Sequence, residues 1–277
     1  INQARLDPAA EAARFGLDLN DSLANGAITT DAKQVLAPNT QLEASAQAHS
    51  EWMLEEDVFS HTGDSGSAPG ARMADAGYDF TGRWSWRENL AWYGKTGTLD
   101  LADAIARHHE GLYRSEGHRV NTFAEAIKEA GVAQVEGRFT SNSITYNASM
   151  LSLNYAAAGT DMFITGVVYD DDDGDAFYSI GEGIAGWWLR ADGEQAETAD
   201  AGGYGLAVRA SDDQRVQIGQ GAQLRATLEV DVSDQNAKLD VVTDQDGQMA
   251  LALSADATLV SGIANATLLG VAELNLT

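Results

Sequence analysis

Helical spacing of apolar residues dominates the chain up to about residue 157. It predicts helices over Asn39–Glu55, over Ser67–Ala76, which has a proline in its first turn, and over Leu99–Tyr113. Strand patterns follow at Gly131–Val135 and Ile144–Asn154. The predicted buried face of the first helix consists of Leu42, Ala46, His49 and Met53.

Beyond residue 160 the pattern changes to short apolar runs separated by Gly, Asp and Asn. The runs are FITGVVY, GIAGWWLR, YGLAVRA, QLRATLEVDV and KLDVVT. Short strands with turn signals at regular intervals are typical of an antiparallel sandwich. We therefore predict an α+β chain with a mixed domain over 1–157 and an all-β antiparallel sandwich domain over 161–277.

Charge and cysteine content narrow the function classes. The chain has 42 acidic and 17 basic side chains, a net charge of −25, which argues against nucleic-acid binding because such proteins neutralise phosphates with Lys and Arg. No run reaches the roughly 18 apolar residues that a membrane helix needs. Cysteine is absent, so disulfides and thiolate metal sites are excluded. A secreted form would need another means of stabilisation, and bound calcium fits the acidic composition.

Histidine and carboxylate residues form the first group that could bind a metal or catalyse a reaction. His61 lies in FSHTGDSG and His118 in SEGHRVNTF, with Glu88 in WRENLAWYG and Glu110 in HHEGLYRS between them. Such residues from separate segments can converge on a divalent metal or form an acid–base pair with water. The chain has no HExxH motif, nucleophile elbow or cysteine nucleophile to indicate a particular reaction.

Five short motifs in order carry a resemblance to a known family. AHSEWM, FSHTG, ARMADAGY, ENLAWYG and SEGHRVN resemble the bacterial branch of the CAP superfamily, the SCP-like extracellular proteins, over about Leu42–Ala157. The resemblance implies an α-β-α sandwich with an open cleft, in which His61 and His118 are the cleft histidines and Glu88 is an acid. Members with a complete His/Glu set can bind zinc or another divalent ion there.

The chain departs from this family at the second acid. Leu112 and Ser115 occupy the positions where a Trp and a Glu are common, and the nearby Glu110 and Glu116 do not align cleanly. Glu110 is therefore the weakest member of the predicted ligand set of His61, His118, Glu88 and Glu110. Because zinc needs only three protein ligands and a water, the shortened set still allows a metal.

The run DDDGDAFYSIGE forms the second group. With Glu182 as the last ligand of a twelve-residue loop, its ligands would stand at positions 1, 3, 5, 7, 9 and 12. These residues are Asp171, Asp173, Asp175, Phe177 through its backbone carbonyl, Ser179 and Glu182. Position 6, where glycine normally allows the sharp turn, is Ala176. The spacing predicts an EF-hand-like calcium loop, and the alternative is a solvated acidic loop without a metal.

Two further resemblances concern the second half. The strands around this loop, roughly Phe163–Val208, resemble the calcium-binding SdrD-B and Cna-B-like sandwich modules of bacterial surface proteins. The C-terminal SGIANATLLGVAELNLT resembles the segment that flanks the calcium repeats of RTX proteins, although no GGxGxDxUx copy is present. An RTX origin would imply type I secretion.

These observations lead to three hypotheses for function. The first is a secreted bacterial binding or adhesion protein, stabilised by calcium, whose cleft engages an extracellular ligand or surface partner. The second is a metal-assisted extracellular peptidase or nuclease, with a water held by His61 and His118 and Glu88 as general base. The third is a structural spacer of a large adhesin. The absence of an evident nucleophile and of the second acid favours a non-enzymatic role.

Overall fold

The protein is described here by a computed structural model covering residues 1–243 and 248–277, and it divides into two compact units. The helix–sheet unit comprises Pro8–Thr30 and Asn39–Gly159, and the sandwich unit comprises Ile1–Asp7, Asp31–Pro38 and Thr160–Thr277. The sequence prediction placed the whole of 1–157 in the first domain. In the structure two N-terminal segments group instead with the sandwich unit.

A side-chain contact shows how the second of these segments is held in the sandwich unit. Asn236 donates a hydrogen bond from Nδ2 to the carbonyl oxygen of Val35, 2.8 Å away, across 201 residues of chain. Such a long-range contact leaves no local pattern in the sequence. The sequence analysis therefore placed this segment in the first domain, together with the residues next to it in the chain.

Every predicted helix and strand has a counterpart in the structure, which also contains helices and strands that the pattern did not predict. Within the described residues the helices are α1 (Asn2–Leu6), α2 (Pro8–Arg14), α3 (Thr40–Glu55), α4 (Pro69–Asp75), α5 (Leu101–Arg114) and α6 (Glu116–Thr122). The strands are β1 (Ala37–Pro38), β2 (Ser85–Lys95), β3 (Glu129–Ser141), β4 (Ile144–Ala157), β5 (Met162–Asp170), β6 (Trp187–Ala191), β7 (Glu194–Glu197), β8 (Gly203–Val208), β9 (Gln214–Gln220), β10 (Gln223–Val230), β11 (Ala237–Thr243), β12 (Met249–Leu253), β13 (Ala257–Ser261) and β14 (Asn265–Leu268).

Helix α3 forms where its capping and periodicity predict it. The side chain of Asn39 accepts hydrogen bonds from the backbone N–H groups of Gln41 and Leu42, both at 3.0 Å, and so satisfies two donors of the first turn. The predicted face is buried as expected, with exposures of 0–2% for Leu42, Ala46, His49 and Met53.

The sheet of the helix–sheet unit has helices on both faces. Its three long strands lie in the order β3-β4-β2, all antiparallel. In β4, Ser152 accepts a hydrogen bond from Ser50 of α3 at 2.8 Å, and Ser149 bonds to His108 of α5 at 2.9 Å. Residues three apart in a strand point to opposite faces, so α3 and α5 cover different sides. This is the α-β-α layering that the resemblance implied.

The sandwich unit contains two five-stranded sheets, ordered β13-β10-β9-β6-β7 and β14-β12-β11-β5-β8. Both contribute to one apolar core, from Leu189 and Ile218 in the first sheet to Ile164 and Leu251 in the second. The prediction of a purely antiparallel sandwich is wrong for two pairs, because β5–β11 and β12–β14 run parallel. The chain passes through the opposite sheet between the members of each pair, so they are not joined by a hairpin.

Candidate functional site

Two of the residues that the resemblance assigns to the CAP cleft, His61 and Glu88, are joined by a hydrogen bond. His61 precedes a short 3₁₀ turn over Asp64–Gly66, and Glu88 lies in β2. His61 Nδ1 is 2.8 Å from Glu88 Oε1, and the His61 side chain is 55% exposed whereas that of Glu88 is 2% exposed. A carboxylate can only accept, so Nδ1 carries the proton and Nε2 of neutral His61 presents a lone pair.

Arg72 of α4 holds the other oxygen of the same carboxylate. Its Nη2 lies 2.6 Å from Glu88 Oε2, and its side chain is only 12% exposed. Its Nη1 donates to the carbonyl oxygens of His61 at 3.0 Å and of Ser67 at 2.9 Å. Arg72 therefore fixes both the charge partner and the backbone of His61. The sequence prediction missed it, although it lies within the ARMADAGY motif.

His118 of α6 lies close enough to His61 to sense its charge. Burial lowers the pKa of His118, and the nearby charge of His61 lowers it further. Two amides fasten α6 to β2 at this point: Asn89 donates to the carbonyl oxygen of His118 at 3.0 Å, and Asn121 donates to that of Glu88 at 3.3 Å. Helix α6, which carries His118, is thus fastened to strand β2, which carries Glu88.

His49 lies behind this site. It is 2% exposed, its ring stacks on Trp52 at a centroid distance of 5.5 Å, and its Nε2 bonds to the carbonyl oxygen of Ser60 at 2.9 Å. Burial lowers the pKa of His49, and the charge of Arg72 lowers it further. His49 is thus a largely structural residue that anchors the chain immediately before His61.

Glu110 has a different environment from the other predicted ligands. It lies on α5, where its carboxylate pairs with Arg114 one turn later at 2.8 Å, and both side chains are nearly half exposed. This i,i+4 pair is an ordinary surface interaction. The neighbouring His108 and His109 face Ser149 and Glu11 respectively.

The cleft residues fit a divalent metal poorly. Both oxygens of Glu88 are already bonded, one to a histidine and one to a guanidinium. Across residues 1–243 and 248–277, His61, Glu88 and His118 do not form a group whose ligand atoms all lie within 4.8 Å of one another. A metal could reach Glu88 only through the remaining lone pairs of a buried carboxylate, next to the Arg72 guanidinium and the His61 ring.

The acidic loop between β5 and β6 has the ligand clustering that its spacing predicts. Asp171, Asp173 and Asp175 each place one carboxylate oxygen within 4.8 Å of the others. Asp171 Oδ1 accepts hydrogen bonds from the backbone N–H groups of Gly174 at 3.0 Å and Asp175 at 3.1 Å. The loop is therefore curled around the first aspartate.

Glu182 closes the same loop from its far end. It is 7% exposed, and its two oxygens accept hydrogen bonds from the N–H groups of Asp172 at 3.2 Å and Ser179 at 2.6 Å. Burial and the charges of Asp171, Glu182 and Asp175 raise the pKa of Tyr169, at the end of β5, to about 12. Phe177 donates its N–H to Asp175 at 2.7 Å and is half exposed. Of the six predicted calcium ligands, Asp171, Asp173 and Asp175 converge, and Glu182 closes the loop through hydrogen bonds to its backbone.

Comparison with known proteins identifies the family of the first half. The sequence model of CAP, the cysteine-rich secretory protein family, matches residues 1–155. No curated protein matches the chain significantly. Among solved structures, an extracellular protein containing an SCP domain from Bacillus anthracis str. Ames is 21% identical, with a TM-score of 0.32 over 44% of this chain and 34% of that one. An outer surface protein from Borrelia burgdorferi is 17% identical, with a TM-score of 0.33 over 56% of this chain and 96% of that one.

These findings set the limits of the assignment. The match spans only about a third of the Bacillus protein. The longest apolar helices in the described part of the chain fall short of what crossing a membrane requires. The family model covers more than half of the residues, and the matched range includes His61, Glu88 and His118. Although it contains no cysteine, the chain belongs to the CAP, or cysteine-rich secretory protein, family.

Proposed function

We propose that this chain is a secreted bacterial binding protein, stabilised by calcium in its sandwich unit, whose CAP cleft binds an extracellular ligand. The family description and the extracellular and outer-surface names of the two solved structures support the location. The observation that carries the calcium part is the closed loop of Asp171, Asp173, Asp175 and Glu182.

The charge of the loop explains why a cation would stabilise it. Three carboxylates converge at its start, and a fourth, that of Glu182, is buried at its end. Like charges at such distances repel one another, and the repulsion is strong where water is excluded. A calcium ion accepts six to eight oxygen ligands and would replace this repulsion by attraction. A chain without disulfides would then gain stability chiefly outside the cell, where calcium is abundant.

The loop also connects to the sandwich core at both of its ends. Asp170 N–H donates to the carbonyl oxygen of Glu182 at 3.0 Å, and Asp171 N–H donates to that of Thr243 in β11 at 3.2 Å. Ordering the loop by calcium would therefore strengthen the junction of β5 and β11. Without the ion, we expect the end of the β5–β11 pair next to the loop to open first.

The cleft supports ligand binding more than metal-assisted hydrolysis. Glu88 orients His61 so that Nε2 faces solvent as an acceptor, suited to a hydroxyl or N–H group of a ligand. The Glu88 side chain is 2% exposed and each of its oxygens already accepts one hydrogen bond, so the water of the hydrolase hypothesis would have little access to it. Neither the structural-spacer role nor an RTX origin has a specific contact in its favour.

Thermal and urea unfolding with and without calcium test the proposal. Binding to the native chain alone adds RT ln(1 + [Ca]/Kd), about 4 kcal/mol at a thousandfold excess over Kd. We expect that gain in wild type and its loss in Glu182→Gln and in Asp173→Asn. Glu194→Gln, an exposed carboxylate of β7, is the control and should keep the calcium response. Equal unfolding curves in calcium and in EGTA would show that the loop is only a solvated acidic turn.

A further inference from the structure

The CAP cleft already contains a positive charge of its own. The Arg72 guanidinium is hydrogen-bonded to Glu88 at 2.6 Å, and neither side chain has more than 12% of its surface exposed. Because burial weakens screening by water and salt, such a pair interacts more strongly than a surface ion pair. The charge of Glu88, the acid nearest to the two cleft histidines, is therefore balanced within the protein.

Arg72 is also held in this position by bonds other than that to Glu88. Its Nη1 donates to the carbonyl oxygens of His61 and Ser67, which lie on the two sides of the 3₁₀ turn. It projects from α4, whose first turn begins with Pro69. The guanidinium cannot swing away without breaking three hydrogen bonds, and the buried carboxylate of Glu88 would lose its partner at Oε2, which is costly.

A divalent ion would meet two obstacles in this cleft. To bind Glu88 it would have to approach a carboxylate that is 2% exposed and lie next to the positive guanidinium of Arg72, which repels it or must be displaced and left as an unpaired cation. To bind His61 and His118 alone, the ion would have only two protein ligands, because the second acid of the family pattern is missing. A zinc site ordinarily has at least three.

We propose that Arg72 is the specificity-determining residue of the cleft: its guanidinium takes the place of a divalent ion beside Glu88. It reserves the cleft for ligands that bind His61 directly through hydroxyl or N–H groups. This inference concerns the ligand of the cleft named in the proposed function, and it is independent of the calcium loop.

Zinc titration of the full chain, followed at the histidine rings by ¹H–¹⁵N NMR, tests the inference. Calcium is present throughout at a saturating concentration, and Zn²⁺ alone is the probe. In wild type, the ring nitrogens of His61 and His118 should keep their shifts up to about tenfold excess of zinc. Arg72→Gln removes the charge and frees Glu88 Oε2, so zinc should bind His61 and His118 with a Kd lowered on the order of tenfold or more.

Arg72→Lys is the matched control, because it keeps the charge and should behave as wild type. Zinc binding by wild type at His61 and His118 with the affinity of Arg72→Gln would overturn the inference, as would a folded Arg72→Gln protein that gains no affinity. If Arg72→Gln fails to fold, the wild-type titration decides: zinc-induced shifts at both histidines refute the inference, and unchanged shifts support it. Failure of calcium to stabilise the chain would affect only the proposed function.

Discussion

Ala176 is the residue of the acidic loop whose side chain suits its backbone conformation least. Its φ is +59°, in the left-handed region, and its N–H donates to Asp171 Oδ2 at 3.1 Å. This conformation costs a residue with a Cβ atom about 1–2 kcal/mol. The position is the sixth of the proposed calcium loop, where glycine normally makes the turn. We therefore expect Ala176→Gly to stabilise the calcium-loaded protein.

The size of the effect follows from two opposing contributions. Removing the left-handed strain favours the loop by about 1–2 kcal/mol. Glycine also gives the unfolded chain more freedom, which offsets about 0.4–1 kcal/mol of that gain. The net expectation is about 1 kcal/mol in the free energy of unfolding with calcium, or about a fivefold lower Kd if the whole gain appears in binding.

The gain can appear in the calcium Kd or in the stability of the calcium-free protein. Which of the two changes shows whether the loop adopts this conformation only when calcium binds or already has it without calcium. If the loop leaves this conformation without calcium, Ala176→Gly lowers the calcium Kd measured by titration calorimetry. If the loop keeps its conformation, the gain appears equally in urea unfolding with calcium and with EGTA, and the Kd stays constant. Both outcomes are consistent with a left-handed backbone conformation at residue 176.

Gly174→Ala provides the matched control for this prediction. Gly174 has a φ of +76°, and a Cβ atom added there would have no neighbour within 4 Å. The substitution thus introduces left-handed strain without a steric clash, and it should destabilise by about 1 kcal/mol. If both variants shift stability in the same direction, or if Ala176→Gly destabilises, the backbone conformation assigned to this loop is wrong.

Two further predictions concern the helix–sheet unit. Burial lowers the pKa of His108 to about 4 from its ordinary 6.5, so the folded state binds this proton less readily than the unfolded state does. Stability should therefore be complete above pH 6.5 and fall by about 3 kcal/mol between pH 6.5 and 4; urea unfolding of His108→Gln should lack this component, and an unchanged pH dependence would refute it. A Cβ atom on Gly131 would lie 2.1 Å from the backbone nitrogen of Glu43, so Gly131→Ala should destabilise by about 3 kcal/mol. Gly97→Ala, with no neighbour within 4 Å, should change stability by less than about 0.5 kcal/mol, and similar urea midpoints for the two variants would contradict the tight packing of β3 on α3.

The sequence predicted the elements whose burial follows a regular period. Helix α3 has a single buried stripe, and its prediction was right to within one residue at each end. Strand β2 was missed because its fully buried residues are consecutive, Glu88, Asn89 and Leu90, and two of them are polar. Neither a period of two nor an apolar run appears in such a segment. The burial of an acid and an amide therefore made this strand unrecognisable from its hydrophobic pattern.

The cleft could be predicted only in part for a related reason. Its motifs identified His61, Glu88 and His118, but neither spacing nor composition indicates which groups face the two oxygens of Glu88. The answer depends on contacts 27 and 16 residues apart in the chain, made by His61 and Arg72. A histidine–carboxylate set therefore predicts a metal site until its counter-charge is known, and here that counter-charge is an arginine on α4.

The acidic loop is the opposite case, because its ligands lie within twelve consecutive residues. Their spacing determines which carboxylates can converge, and the convergence of Asp171, Asp173 and Asp175 needs no knowledge of the sandwich. The burial of Glu182 does depend on the sandwich, and so does the bond from Asp171 N–H to Thr243. Local sequence can thus specify which side chains would bind a calcium ion. The surrounding sheet determines how deeply these carboxylates are buried, and therefore how strongly they repel one another when no ion is bound. For this reason we expect Glu182→Gln to change stability in EGTA more than Asp173→Asn does, although both should abolish the calcium response.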